Sequence, residues 1–138
     1  ARLRRKTDDL VFLGLQEVPQ KKRDQVDQAF PGYQIYHDKS SRLTNAFVLY
    51  NKLQLTIKTT QGELPIPSGK ERRFVTSLYF PDLNLSVANT HILGGRFDDQ
   101  QWYVYPDIRN KQIREILALV HPSTTFTVLM GDFNADNK

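Results

Sequence analysis

The chain has 138 residues, 39% hydrophobic and 25% charged, which suits one globular domain and excludes a disordered segment or a fibre. No apolar run approaches the roughly 20 residues that a membrane-spanning helix needs. With no cysteine and a net charge of +4, disulfide and thiolate chemistry are excluded and a polyanionic partner is permitted.

In chain order, Ala1 to Lys6 is a basic run with no apolar stretch behind it of the kind a secretory signal carries. Residues 10–16 (Leu-Val-Phe-Leu-Gly-Leu-Gln) read as a short buried strand. Pro19 halts it, and Lys21 to Phe30 reads as a short helix ended by Pro31-Gly32. Five segments rich in β-branched and aromatic residues follow: 33–37, 45–50, 53–60, 73–80 and 83–90. Asn51, Gly62, Ser68-Gly69 and Pro81-Asp82 separate them as turn formers.

Residues 92–106 read as a long loop carrying two glycines, Arg96 and the aromatics Phe97, Trp102, Tyr103 and Tyr105. These rings suit either stacking on bases or filling a satellite core beneath the loop. From Asp107 the apolar residues Ile108, Ile113, Ile116, Leu117 and Val120 recur at helical spacing, and His121-Pro122 ends that helix. Phe126–Met130 reads as a last buried strand. Sheets covered by helices are implied, in an order that is not a simple parallel βαβ series. The basic clusters Lys21-Lys22-Arg23 and Lys70, Arg72, Arg73 read first as solvated surface.

Three of the apolar strands end alike. Leu10–Leu15 runs into Gln16-Glu17, Leu85–Ala88 into Asn89-Thr90-His91, and Val128–Met130 into Gly131-Asp132-Phe133-Asn134. If these ends lie together, an acid, an imidazole, a carboxylate and an amide converge at one edge of the sheets. Glu17 offers a hard oxygen ligand for Mg²⁺, which takes one or two protein carboxylates and keeps several waters. His91 suits a general acid or a phosphate donor. Asp132 and Asn134 share a face in an extended segment, with Phe133 pointing to the core. Taken singly, Glu17 and His91 are more often surface or structural groups, and the Gly-Asp-Phe-Asn run is equally a turn.

Together, "LGLQEV", "VANTHI" and "VLMGDFNAD" resemble, in order and spacing, motifs of the endonuclease/exonuclease/phosphatase superfamily with its deoxyribonuclease I-like fold. The intervening "RNKQIREIL" supports the likeness, Arg109 and Gln112 matching an Arg-x-x-Gln pattern. The resemblance implies an α/β (α+β) chain, a four-layer α/β/β/α sandwich of mixed sheets, incomplete here. It makes residues 1–138 a partial domain, without the first strand and the C-terminal part. It implies that Glu17 binds Mg²⁺ (or Mn²⁺), that His91 lies at the phosphate, that Asp132 orients the attacking water, and that Asn134 contacts the phosphate. Asn89 and Arg73 are expected at the substrate. Arg73, in "PIPSGKERRFVTSLYF", loosely resembles an Arg of the tyrosyl-DNA phosphodiesterase branch.

The family's metal-side Asn and its late Asp-His pair have no counterpart here, so these residues by themselves should turn over negligibly. The implied activity is metal-dependent phosphoester hydrolysis, with a nucleic-acid phosphodiester favoured by the basic clusters. An inositol-phosphate phosphatase and a catalytically silent binding module are the alternatives.

Overall fold

The computed structural model describes residues 10–40, 42–67, 69, 71–92 and 106–134. Among these, seven strands form two sheets. In the first sheet, β3 (Leu43–Asn51) lies between β1 (Leu10–Pro19) and β2 (Gln34–His37), antiparallel to both. The second runs β4 (Lys58–Leu64), β5 (Arg73–Phe80), β6 (Leu85–His91) and β7 (Phe126–Asp132). Its first two pairings are antiparallel, and β6 and β7 are parallel. A parallel pair needs a crossover, and α2 (Pro106–Ala118) lies within it. The shorter α1 (Arg23–Ala29) follows a 3₁₀ turn at Gln20–Lys22.

The sheets face each other across a core of Phe47 and Leu49 from β3, Leu78 and Phe80 from β5, and Val87 from β6. Phe12 meets Phe80 edge-on, with ring centroids 5.6 Å apart. This geometry adds about 1 kcal/mol beyond the area that the two rings bury. On the other face of the second sheet, Leu64, Val75, Ala88 and Ile92 pack with Ile116 of α2, while Ile113 and Leu117 of the same helix stay exposed. β5 is therefore covered on both sides, and Phe74 to Phe80 are all buried. The chain is α+β, with a first sheet that is antiparallel and a second that is mixed. α1 is held to the first sheet by polar groups: Arg23 donates to the Asp38 carbonyl at 2.8 Å, and Asp27 meets His37 Nε2 at 2.9 Å.

Several expectations shift. β1, expected to be buried, is only half-buried from Leu10 to Gln16, and β7, expected as a buried strand, is largely exposed at Phe126, Val128 and Leu129 among the described residues. The strand expected at residues 53–60 begins only at Lys58 and runs to Leu64. The Asn51 side chain brackets Leu55, accepting from its N–H and donating to its carbonyl at 3.0 Å each. That closes a turn where β-branching suggested a strand. Leu55 and Ile57 still pack on the core. Gly62, expected to separate strands, sits inside β4 opposite Val75, because a Cβ there would run into the Leu119 side chain. The aromatic loop with Arg96, the basic start Ala1–Lys6 and Lys70 lie outside the described residues.

Candidate active site

Glu17 owes its position to a fault in the pairing of β1. The β1–β3 register runs from Leu10↔Asn51 to Leu15↔Ala46 and resumes at Val18↔Thr44. Gln16 and Glu17 thus oppose Asn45 alone, which is a β-bulge. Glu17 takes a left-handed backbone (φ 56°), a conformation that costs a non-glycine residue about 1–3 kcal/mol. The bulge sends Glu17 outward, its side chain 59% exposed, and Gln16 inward.

Gln16 donates to Asn89 Oδ1 at 2.7 Å, and Asn89 Nδ2 donates to Ala46 O at 3.0 Å and Leu15 O at 3.3 Å. Asn89 is buried, and these bonds occupy its amide. It ties β1, β3 and β6 together beneath the bulge. Gly14 makes that approach possible, since a Cβ there would lie 2.6 Å from Asn89 Oδ1.

The parallel register of β6 and β7 sets His91 beside Asp132. His91 Nε2 stands 3.6 Å from Asp132 Oδ2 and 4.0 Å from Glu17 Oε1. These spacings are too long for hydrogen bonds and leave the three polar heads around one gap. Arg73, at the start of β5, donates from Nη1 to the carbonyls of His91 and Ile92, both at 3.1 Å. Its cation is fixed behind the imidazole. Burial opposes that charge, while Glu17, Glu71 and Asp132 support it.

Burial is the first cause that lowers the His91 pKa and Arg73 the second, with Asp132 and Glu17 pulling the other way. The imidazole is therefore neutral at pH 7. In the unfolded chain His91 takes up a proton as pH falls through its ordinary 6.5, whereas in the fold it does so only at lower pH. The unfolded state then binds more protons, so this group removes stability as pH drops below 6.5. In EDTA, the thermal midpoint should fall more between pH 7.5 and 5.5 for wild type than for His91→Asn. Equal falls would show that His91 is not held neutral.

At the end of β7, the Asn134 N–H donates to Asp132 Oδ1 at 2.9 Å, and Asn134 is left-handed (φ 44°). The chain turns there instead of continuing extended. Asn134 Nδ2 donates to Ile92 O at 3.0 Å, and Phe133 packs on the second core as expected. Arg109 of α2 donates to the carbonyls of Phe133 and Asn134 at 3.1 and 2.8 Å. Gln112, one helical turn on, donates to Pro65 O at 2.8 Å. The Arg-x-x-Gln pair thus pins the helix across this corner.

Sequence reading missed Asp38, a buried carboxylate that accepts from Ser40 N at 3.0 Å and Asn45 Nδ2 at 2.7 Å. It holds Asn45, the residue opposite the bulge. The available signal was an Asp two residues before a Ser in a turn. A cleft of about 40 Å³ opens among Glu17, Leu43, Asn45, Glu71, Arg73 and His91, room for a water or a cation. Among the described residues no three His, Asp or Glu side chains group to enclose a metal. Two half-exposed carboxylates beside a water-accessible gap still fit Mg²⁺, which seldom takes more from a protein.

No family model matches the sequence, and no curated protein sequence matches it. Solved structures do. TDP2 of D. rerio, complexed with single-strand DNA product, aligns with TM-score 0.63 and 18% identity over 95% of this chain and 50% of its own. ANGEL2, a 2′,3′-cyclic phosphatase in complex with adenosine-2′,3′-vanadate, gives 0.65 and 19% over 91% and 40%. The human Nocturnin catalytic domain with bound sulfate gives 0.60 and 16% over 91% and 51%. The chain spans about half the length of these proteins or less. It shares the fold of these proteins over the part it spans, the deoxyribonuclease I-like fold expected from its sequence.

Proposed function

We propose that this chain supplies part of a metal-dependent hydrolase site for phosphodiesters in nucleic acid. The observation that carries the reading is the convergence of Glu17, His91 and Asp132, delivered by three strands of two sheets, around one gap. Glu17, pushed out by a strained bulge, is the carboxylate for Mg²⁺ or Mn²⁺, which when bound neutralises charge developing on the phosphoester oxygens. Asp132 accepts a proton from, or orients, the attacking water. Neutral His91 donates to a phosphoryl oxygen, and the fixed Arg73 cation makes the gap hospitable to an anion. Asn134, with its Nδ2 turned to Ile92 O, contributes Oδ1 or its turn geometry to the same corner. The fold shared with a DNA-bound TDP2 supports nucleic acid as the substrate class.

The test is a comparison in the full protein of DNA, 5′-tyrosyl DNA and inositol phosphates, with Mg²⁺ and with EDTA. EDTA should lower the rate at least about a hundredfold, reversibly. Metal-independent turnover, preference for inositol phosphates, or no turnover on any substrate would each overturn the reading.

A further inference from the structure

The groove continues past the catalytic cleft. Leu43 walls that cleft and also a second cavity of about 370 Å³, lined with Pro19, Gln20, Lys21 and Arg42. This is the size of a small-molecule site. Its floor is the end of the β1–β3 ladder, where Pro19 pairs with Leu43 and the Gln20 N–H donates to Arg42 O at 3.0 Å. The walls are therefore backbone-fixed.

The structure also sorts the basic clusters. Arg23 turns inward to the carbonyls of Asp38 and Ser40, Arg72 pairs through two bonds with Glu63, and Arg73 holds His91 and Ile92. Lys21 and Arg42 are the cations at the cavity. Arg42 meets Glu71 at 3.4 Å with its side chain 82% exposed. Such a pair has little net worth and yields readily to a stronger anion.

From the gap outward the surface thus alternates: a phosphate-binding corner, an apolar ridge of Leu43 and Pro19, then two cations. A polynucleotide strand alternates likewise, phosphate, then ring, then phosphate. An inositol phosphate is polar all round and would leave Leu43, 39% exposed, without a match. We propose that this second cavity holds the nucleotide adjoining the scissile phosphodiester of a single-stranded polynucleotide. Its sugar or base lies on Leu43 and Pro19, and its phosphate lies between Lys21 and Arg42. The inference rests on the proposed hydrolase reading and adds the path of the strand.

The experiment uses the full protein and the double variant Lys21→Gln/Arg42→Gln, both changes at exposed positions. Binding of a fluorescent single-stranded decanucleotide in EDTA is followed by anisotropy from 50 to 300 mM salt. The variant should bind about tenfold more weakly, and its dependence of log K on log salt should be shallower by roughly 0.7 for each phosphate that is no longer neutralised. Hydrolysis of bis(p-nitrophenyl) phosphate, too short to reach the cavity, should keep its kcat/KM. Unchanged affinity and slope, an equal loss on the short diester, or a larger loss for inositol phosphate than for the oligonucleotide would overturn the proposal. If the protein hydrolyses neither substrate, the hydrolase reading fails, and the titration still decides the cavity.

Discussion

Replacing Asp132 by Asn is expected to lower kcat about a thousandfold, the size of a lost general base or water-orienting carboxylate, with the fold intact. The substitution suits this site because of what Asp132 does structurally. Its Oδ1 accepts from the Asn134 N–H, and an amide oxygen can accept the same bond, so the turn survives. Its Oδ2 faces His91 across 3.6 Å, and there the charge is lost. Asp132 is one of two groups that pull the His91 pKa upward, so the imidazole should titrate still lower in the variant. The pair of readouts separates chemistry from structure: turnover by single-turnover kinetics in the full protein, and His91 titration by NMR in EDTA. An unchanged rate would remove Asp132 from the catalytic part assigned to it, whatever the imidazole does.

Strand ends were legible in the sequence because polarity changes sharply there: six residues of apolar strand, then Gln16-Glu17; four, then Asn89-Thr90-His91. The helix at Pro106–Ala118 was legible from Ile113 and Ile116, although only Ile116 is buried deeply. What could not be read was pairing. A bulge is a property of two strands, and nothing in "LQEV" says that Gln16 and Glu17 will face Asn45 alone. Without the bulge, alternation along β1 does not tell which of the two neighbours points out. The inward turn of Asn89 was hidden for the same reason, since its partners lie 43 to 74 residues away in sequence. β4 was misplaced because a side-chain bracket from Asn51 outweighed the β propensity of Leu53 to Thr56. Arg73 shows a subtler gap. Its type suggested a substrate contact but not its partners, the carbonyls of His91 and Ile92 on the neighbouring strand end.

Among the described glycines, Gly131→Ala should be the most damaging added methyl. Gly131 has φ 149° and pairs with Thr90 in the parallel ladder, where an added Cβ would run into the Thr90 carbonyl oxygen. That neighbour is backbone in a central strand buried on both sides, so it cannot swing away as a side chain would. Backbone strain and overpacking together predict a loss of about 3 kcal/mol, seen as a thermal midpoint lower by roughly 10 °C. Gly32→Ala is the matched control. Its φ is 81°, and nothing lies within 4 Å of an added Cβ, so it bears only the conformational cost, about 1 kcal/mol. A further consequence separates the two variants. Relief of the clash at Gly131 requires β7 to slide or tilt, and the next residue is Asp132. Activity per folded molecule should therefore fall in Gly131→Ala and not in Gly32→Ala, when both are assayed well below their midpoints. Equal stabilities for the two variants would mean that β7 does not run as close to Thr90 as the register requires.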